Sequence, residues 1–131
     1  MAENFVLKQS ATGYNFQLVG PWRANENQPQ NLTRTWVTIP TTVRLTWSEG
    51  NPSQPGDGFK VYRSTNGGAW ELRATLPLTT TQYNDSGLSY GNRYKWRVVE
   101  YLNVEESTPA ETGVLFVDRR TESQAGADTR F

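Results

Sequence analysis

Six acidic side chains, Glu49, Asp57, Asp85, Glu100, Glu105 and Glu106, are the residues of this 131-residue chain best placed to do chemistry. Two carboxylates can cleave a glycosidic bond when they face each other across a cleft, but nothing in their spacing sets any two of these across one. The chain has no histidine, which removes the commonest general base and metal ligand together. It has no cysteine either, so disulfides and thiolate metal sites are excluded. Asp57 and Asp85 read as turn residues, and too few oxygen ligands converge around them for an octahedral metal. No glycine-rich phosphate loop occurs. The expectation is a chain without catalysis, metal or cofactor.

Binding chemistry is better represented. Five Trp, six Tyr and five Phe are spread along the chain, and several fall outside any obvious core. Charges balance at 13 basic and 13 acidic side chains, which offers no net attraction to phosphate or anionic lipid. No apolar run approaches the roughly 20 residues of a membrane span. Nucleic acid and membrane are therefore not expected partners. The start, Met1-Ala2-Glu3-Asn4-Phe5, lacks the basic and apolar regions of a secretory signal. Synthesis in the cytosol is expected, with any exit by another route such as lysis.

The elements that must position these residues are strands. Val43, Leu45 and Trp47 alternate with polar residues and share one face, as do Tyr94, Trp96 and Val98. Phe59-Lys60-Val61-Tyr62-Arg63 leads into Asn66-Gly67, a strong hairpin signal, and Trp70-Glu71-Leu72-Arg73-Ala74 returns. Trp36–Ile39 ends at Pro40, Thr80–Tyr83 ends at a turn through Asn84-Asp85-Ser86-Gly87, and Gly113–Val117 closes the sheet. No segment sustains a helical apolar period. Ahead of these strands, Phe5-Val6-Leu7 and Tyr14–Val19 flank a turn-forming Ser10-Ala11-Thr12-Gly13, which predicts a small hairpin.

Several of these features, in order, resemble the fibronectin type III family over Pro29–Val117. Leu45-Thr46-Trp47 resembles its strand B, and Phe59–Ser64 with Asn66-Gly67-Gly68 resembles strand C and its hairpin. Tyr83-Asn84-Asp85 resembles the end of strand E, and Ser107-Thr108-Pro109 the approach to strand G. Leu88, Gly91 and Tyr94, then Trp96 and Val98, resemble the family's E–F loop leucine and strand F tyrosine. The resemblance implies an all-β, immunoglobulin-like sandwich of about seven strands, with residues 1–28 as an N-terminal arm and 118–131 as a short tail. It implies a core containing Leu45, Trp47, Phe59, Val61, Tyr83, Leu88, Tyr94, Trp96 and Val98. The Tyr94 hydroxyl should find a backbone partner. Glu100 departs from the pattern, which has a small inward residue there; pointing inward, it would need a partner.

Family membership further implies a spacer, display or recognition module rather than an enzyme. No Arg-Gly-Asp occurs, so integrin binding is not supported. Lys60, Tyr62, Lys95, Arg97, Val99 and Tyr101 are expected on an outward sheet face, of which Tyr62, Arg97 and Tyr101 suit an interface. Phe5, Tyr14, Phe16, Leu18 and Trp22 are the arm's candidates for partner contact. Trp22 either folds back onto the sandwich or anchors to a neighbour. Such modules recur in phage virions, so the leading expectation is a virion component (capsid decoration, neck or tail protein) within a multi-subunit assembly. Its partners would be virion neighbours or copies of itself. The alternatives are a glycan-binding or adhesion module of a surface or secreted protein, and a cytosolic adaptor.

Overall fold

The computed structural model describes residues 22–119 in full and, ahead of them, the backbone of Val6–Gln9 (β1) and Phe16–Val19 (β2). These two strands pair antiparallel, with Val6 opposite Val19, as the hairpin reading anticipates.

The remaining strands make a two-layer sandwich. One sheet orders β3 (Gln30–Thr38), β4 (Thr42–Ser48) and β7 (Gln82–Asp85). The other runs β6 (Glu71–Pro77), β5 (Gly58–Thr65) and β8 (Asn92–Leu102). Three short strands, β9 (Glu105–Glu106), β10 (Ala110–Glu111) and β11 (Leu115–Val117), all pair with β8. All pairings are antiparallel. The closing strand expected at Gly113–Val117 is thus shorter, β11 alone, and a further short strand, β10, pairs with β8 ahead of it, with residues 112–114 between the two. Across that break Trp96 and Thr112 still bond, the Thr112 N–H donating to the Trp96 carbonyl at 2.9 Å.

Strict alternation gives β4 its buried residues Val43, Leu45 and Trp47 and β8 its Tyr94, Trp96 and Val98. Phe59, Val61, Leu88 and Val117 complete this core, with Tyr83 half-buried against it. Trp47 meets Phe59 edge-on, ring centroids 5.6 Å apart, an arrangement that aromatic quadrupoles favour. The Asn66–Gly67 turn has positive φ at both residues (54° and 76°), as a tight hairpin matched to strand twist requires. The Tyr94 hydroxyl accepts from the Ser89 N–H at 3.0 Å, so the backbone partner is found.

Two readings of the strands are corrected. The strand expected at Thr80–Tyr83 is β7, Gln82–Asp85, and takes in two residues assigned to a turn. Its end is drawn inward by the buried Asp85 side chain. Val99, expected outward and open, is 1% exposed. Its register places it opposite Lys60 and between Arg97 and Tyr101, beneath the Tyr62–Glu106 bond that crosses β8.

Candidate binding surfaces and a buried carboxylate site

Asp85 is fully buried and fully used. Arg63 donates to its Oδ2 at 3.0 Å, Arg73 to Oδ1 at 2.9 Å, and the Trp96 indole N–H to Oδ2 at 2.8 Å. β5 places Arg63 at inward parity after Phe59 and Val61, which brings a cation to the core's edge. The Asp85 bond raises the Arg73 guanidinium further above its ordinary value. Sequence reading took Asp85 as a turn residue and missed both arginines. The inward parity of Arg63 was the available signal.

The outer face of β5 and β8 carries a ladder of charges over rings. Arg97 stacks on Trp70 at 4.3 Å and bonds Glu111 at 2.6 Å, while Lys95 pairs with Glu111 at 3.7 Å. Lys60 lies over Tyr101 at 4.9 Å. The Tyr62 hydroxyl donates to the Glu106 carboxylate, and burial together with that carboxylate pushes it up to about 12. Tyr62, Arg97 and Tyr101 therefore spend their groups on cross-strand neighbours, each such pair contributing roughly 0.2–1 kcal/mol.

The third site joins the arm to the sandwich. Residues 22–28 form a single turn, with the Asn27 N–H donating to the Arg23 carbonyl at 3.0 Å. Trp22 is 5% exposed and Asn27 is fully buried. Of the two fates open to Trp22, folding back onto the sandwich or gripping a neighbour, the structure shows the first, with the ring buried and its indole near Glu100. The Thr108 N–H donates to the Ala24 carbonyl (3.0 Å), and Gln28 Nε2 to the Pro109 carbonyl (2.9 Å). Asn27 Nδ2 donates to the Gln54 carbonyl (2.9 Å) and to Glu100 Oε2 (3.1 Å).

Glu100 points inward and is fully buried. Its Oε2 also accepts the Gly56 N–H. That approach depends on glycine, since a Cβ at residue 56 would come within 2.4 Å of the Tyr101 carbonyl oxygen. Glu100 Oε1, Asn27 Oδ1, Glu49 Oε2 and Trp22 Nε1 are buried without a hydrogen-bond partner. Burial raises the Glu100 carboxyl above its ordinary value and Glu49 adds to this; the Gly56, Asn27 and Trp22 donors oppose it. The Trp22 indole thus favours the carboxylate from beyond hydrogen-bond geometry. So the fold does bring two of the six acids, Glu49 and Glu100, together, but inside the protein rather than across a cleft. Asp57 accepts from the Asn103 N–H (2.9 Å). Among the described residues, no group of three or more acidic side chains could hold a metal ion.

Of the arm's other candidates, Phe5 and Tyr14 lie outside the described residues, and for Phe16 and Leu18 only the strand backbone is described.

A model of the fibronectin type III domain matches residues 27–113. Receptor-type tyrosine-protein phosphatase F of Danio rerio is 32% identical over 103 residues, which is 79% of this chain and 5% of the phosphatase. The chain therefore spans a small fraction of that relative. A solved Fn3-like protein from Clostridium thermocellum is similar at 29% identity and TM-score 0.51, covering 63% of this chain and 84% of that one. The twitchin kinase region from C. elegans superposes with TM-score 0.60 at 17% identity, over 72% of this chain and 17% of that one. With a family match over most of its length and the matching sandwich, the chain belongs to the fibronectin type III domain family.

Proposed function

We propose that the chain is a non-catalytic assembly module that docks through its N-terminal arm and displays the sandwich, and that its setting is a phage virion, as a capsid decoration, neck or tail protein. Domains of this family are structural and binding modules. The observation that carries the reading is the junction at 22–28. Buried Trp22 and Asn27 fasten this segment to the sandwich, so a partner gripping residues 1–21 would hold the whole domain at a defined point. Burying Phe5, Phe16 and Leu18 in a neighbour would offset the ordering of the arm at about 25 cal/mol per Å². The glycan alternative has less support, since Trp22 is buried and Trp70 is half-buried beneath Arg97.

Tagged full-length chain and a variant lacking residues 1–21 should be compared in particles purified from infected cells. The truncated chain is expected to unfold at the same urea midpoint as the full chain yet to be absent from particles. Equal incorporation of both would refute docking through the arm. Absence of the full chain from particles would refute the virion setting.

A further inference from the structure

The junction holds an incomplete pair of hydrogen bonds. Asn27 Nδ2 donates to both Gln54 O and Glu100 Oε2, which fixes the orientation of the amide. Among the described residues, that leaves Asn27 Oδ1 and Glu100 Oε1 as buried acceptors without a hydrogen bond, beside one unpartnered buried donor, the Trp22 indole N–H, which favours the ionised carboxyl but does not reach hydrogen-bond geometry. A proton on Glu100 Oε1 would turn that oxygen into a donor, for which Asn27 Oδ1, on the amide already bonded to Oε2, would be the acceptor of a two-bond amide–acid pair.

We propose that Glu100 is a proton-binding switch for the arm junction: its protonated carboxyl closes the pair with the Asn27 amide and holds the 22–28 segment on the sandwich, and its ionised form lets that segment go.

The charged surroundings of Glu100 favour this. From the arm, Arg23 and Glu26 pair with each other at the surface, 3.7 Å apart. Glu49, just past β4, brings a second acid with its own unpartnered buried oxygen. From the loop before β5, Asp57 is bonded to Asn103. On β5, Phe59 lies opposite Glu100, and Lys60 is turned to the other face over Tyr101. On β9, Glu106 is engaged by Tyr62 and Lys60, and Glu105 is exposed opposite Leu102. Among the described residues no cation reaches the carboxyl, and its donors are neutral. An ionised carboxylate buried this way is costly, and release of the segment to water relieves it.

The sign follows. Glu100 holds its proton more tightly in the seated state than in the released one. The contribution to seating is therefore complete below the free carboxyl value of about 4.3, and is lost as pH rises through the higher value of the seated state.

Hydrogen exchange of the backbone amides of residues 22–28, corrected for intrinsic rates, should be followed in the full chain between about pH 4.5 and 8, alongside a carbon-detected titration of the Glu100 carboxyl. The wild-type carboxyl is expected to titrate above the ordinary range, and protection of the segment to fall about tenfold for each unit of that displacement. Glu100→Gln presents the same donor and acceptor to Asn27 without titrating, so its protection should stay flat. A Glu100 titrating at or below the ordinary value would overturn the proposal, and this holds even if the variant does not fold. So would the same pH profile in wild type and Glu100→Gln.

Discussion

Asp85 and Glu100 are both fully buried carboxylates, set toward opposite ends of β4, and the fold holds them by opposite means. Two arginines and an indole N–H surround Asp85. Around Glu100, among the described residues, there are an amide, a backbone N–H, a more distant indole N–H and another acid, but no cation. In the first case a buried charge is matched by two partly buried cations, and the cluster acts as a fixed rivet between β5, β6, β7 and β8. In the second nothing matches the charge, so the state of the site depends on solvent protons. The difference teaches that burial alone does not make a carboxylate structural. The nearest cation decides.

The largest way to break the contrast is Asp85→Ala. It takes the buried acceptor from Arg63 and Arg73, which keep only the exposed Glu71 as an acidic partner, and leaves the Trp96 N–H without its acceptor, and should lower the unfolding free energy by about 3–5 kcal/mol in urea titration. Trp22→Ala attacks the other site. It should cost about 3 kcal/mol, at the low end for a buried Trp because its segment can detach. Water admitted beside Glu100 should also bring that carboxyl down toward its ordinary value in a carbon-detected titration. Arg97→Ala is the reference on the outer sheet face: losing the stack on Trp70 and the pair with the partly exposed Glu111 should shift stability by only about 0.5–1 kcal/mol.

Much of the sandwich was legible from local pattern. Alternation at Val43–Trp47 and Tyr94–Val98 and the Asn66-Gly67 turn act between neighbours along one strand or hairpin, where a linear reading works. The two carboxylate sites are different in kind. Arg63 and Arg73 reach Asp85 from another sheet, 22 and 12 positions away, and Asn27 reaches Glu100 across 73. Period-two alternation tells which side chains point inward, and the family resemblance puts Glu100 at an inward position, but neither says what waits there. Val99 was misread for a related reason, since a polar roof built by Tyr62 and Glu106 buries an outward residue as well as a core does. The arm's Trp22 had no parity to read at all.

The junction at 22–28 also decides the reach of the molecule. The chain enters the sandwich beside Glu100, near the end of β8, and β11 leaves beside Asn92, at its beginning. Eight residue steps of one strand separate the two points, about 26 Å at roughly 3.3 Å per residue. The arm junction and the exit at Val117 thus sit toward opposite ends of one continuous strand, β8. If the arm segment lifts away, its seven residues add up to about 25 Å of slack to that span. A single proton would then set whether the connection behaves as a rod or as a tether.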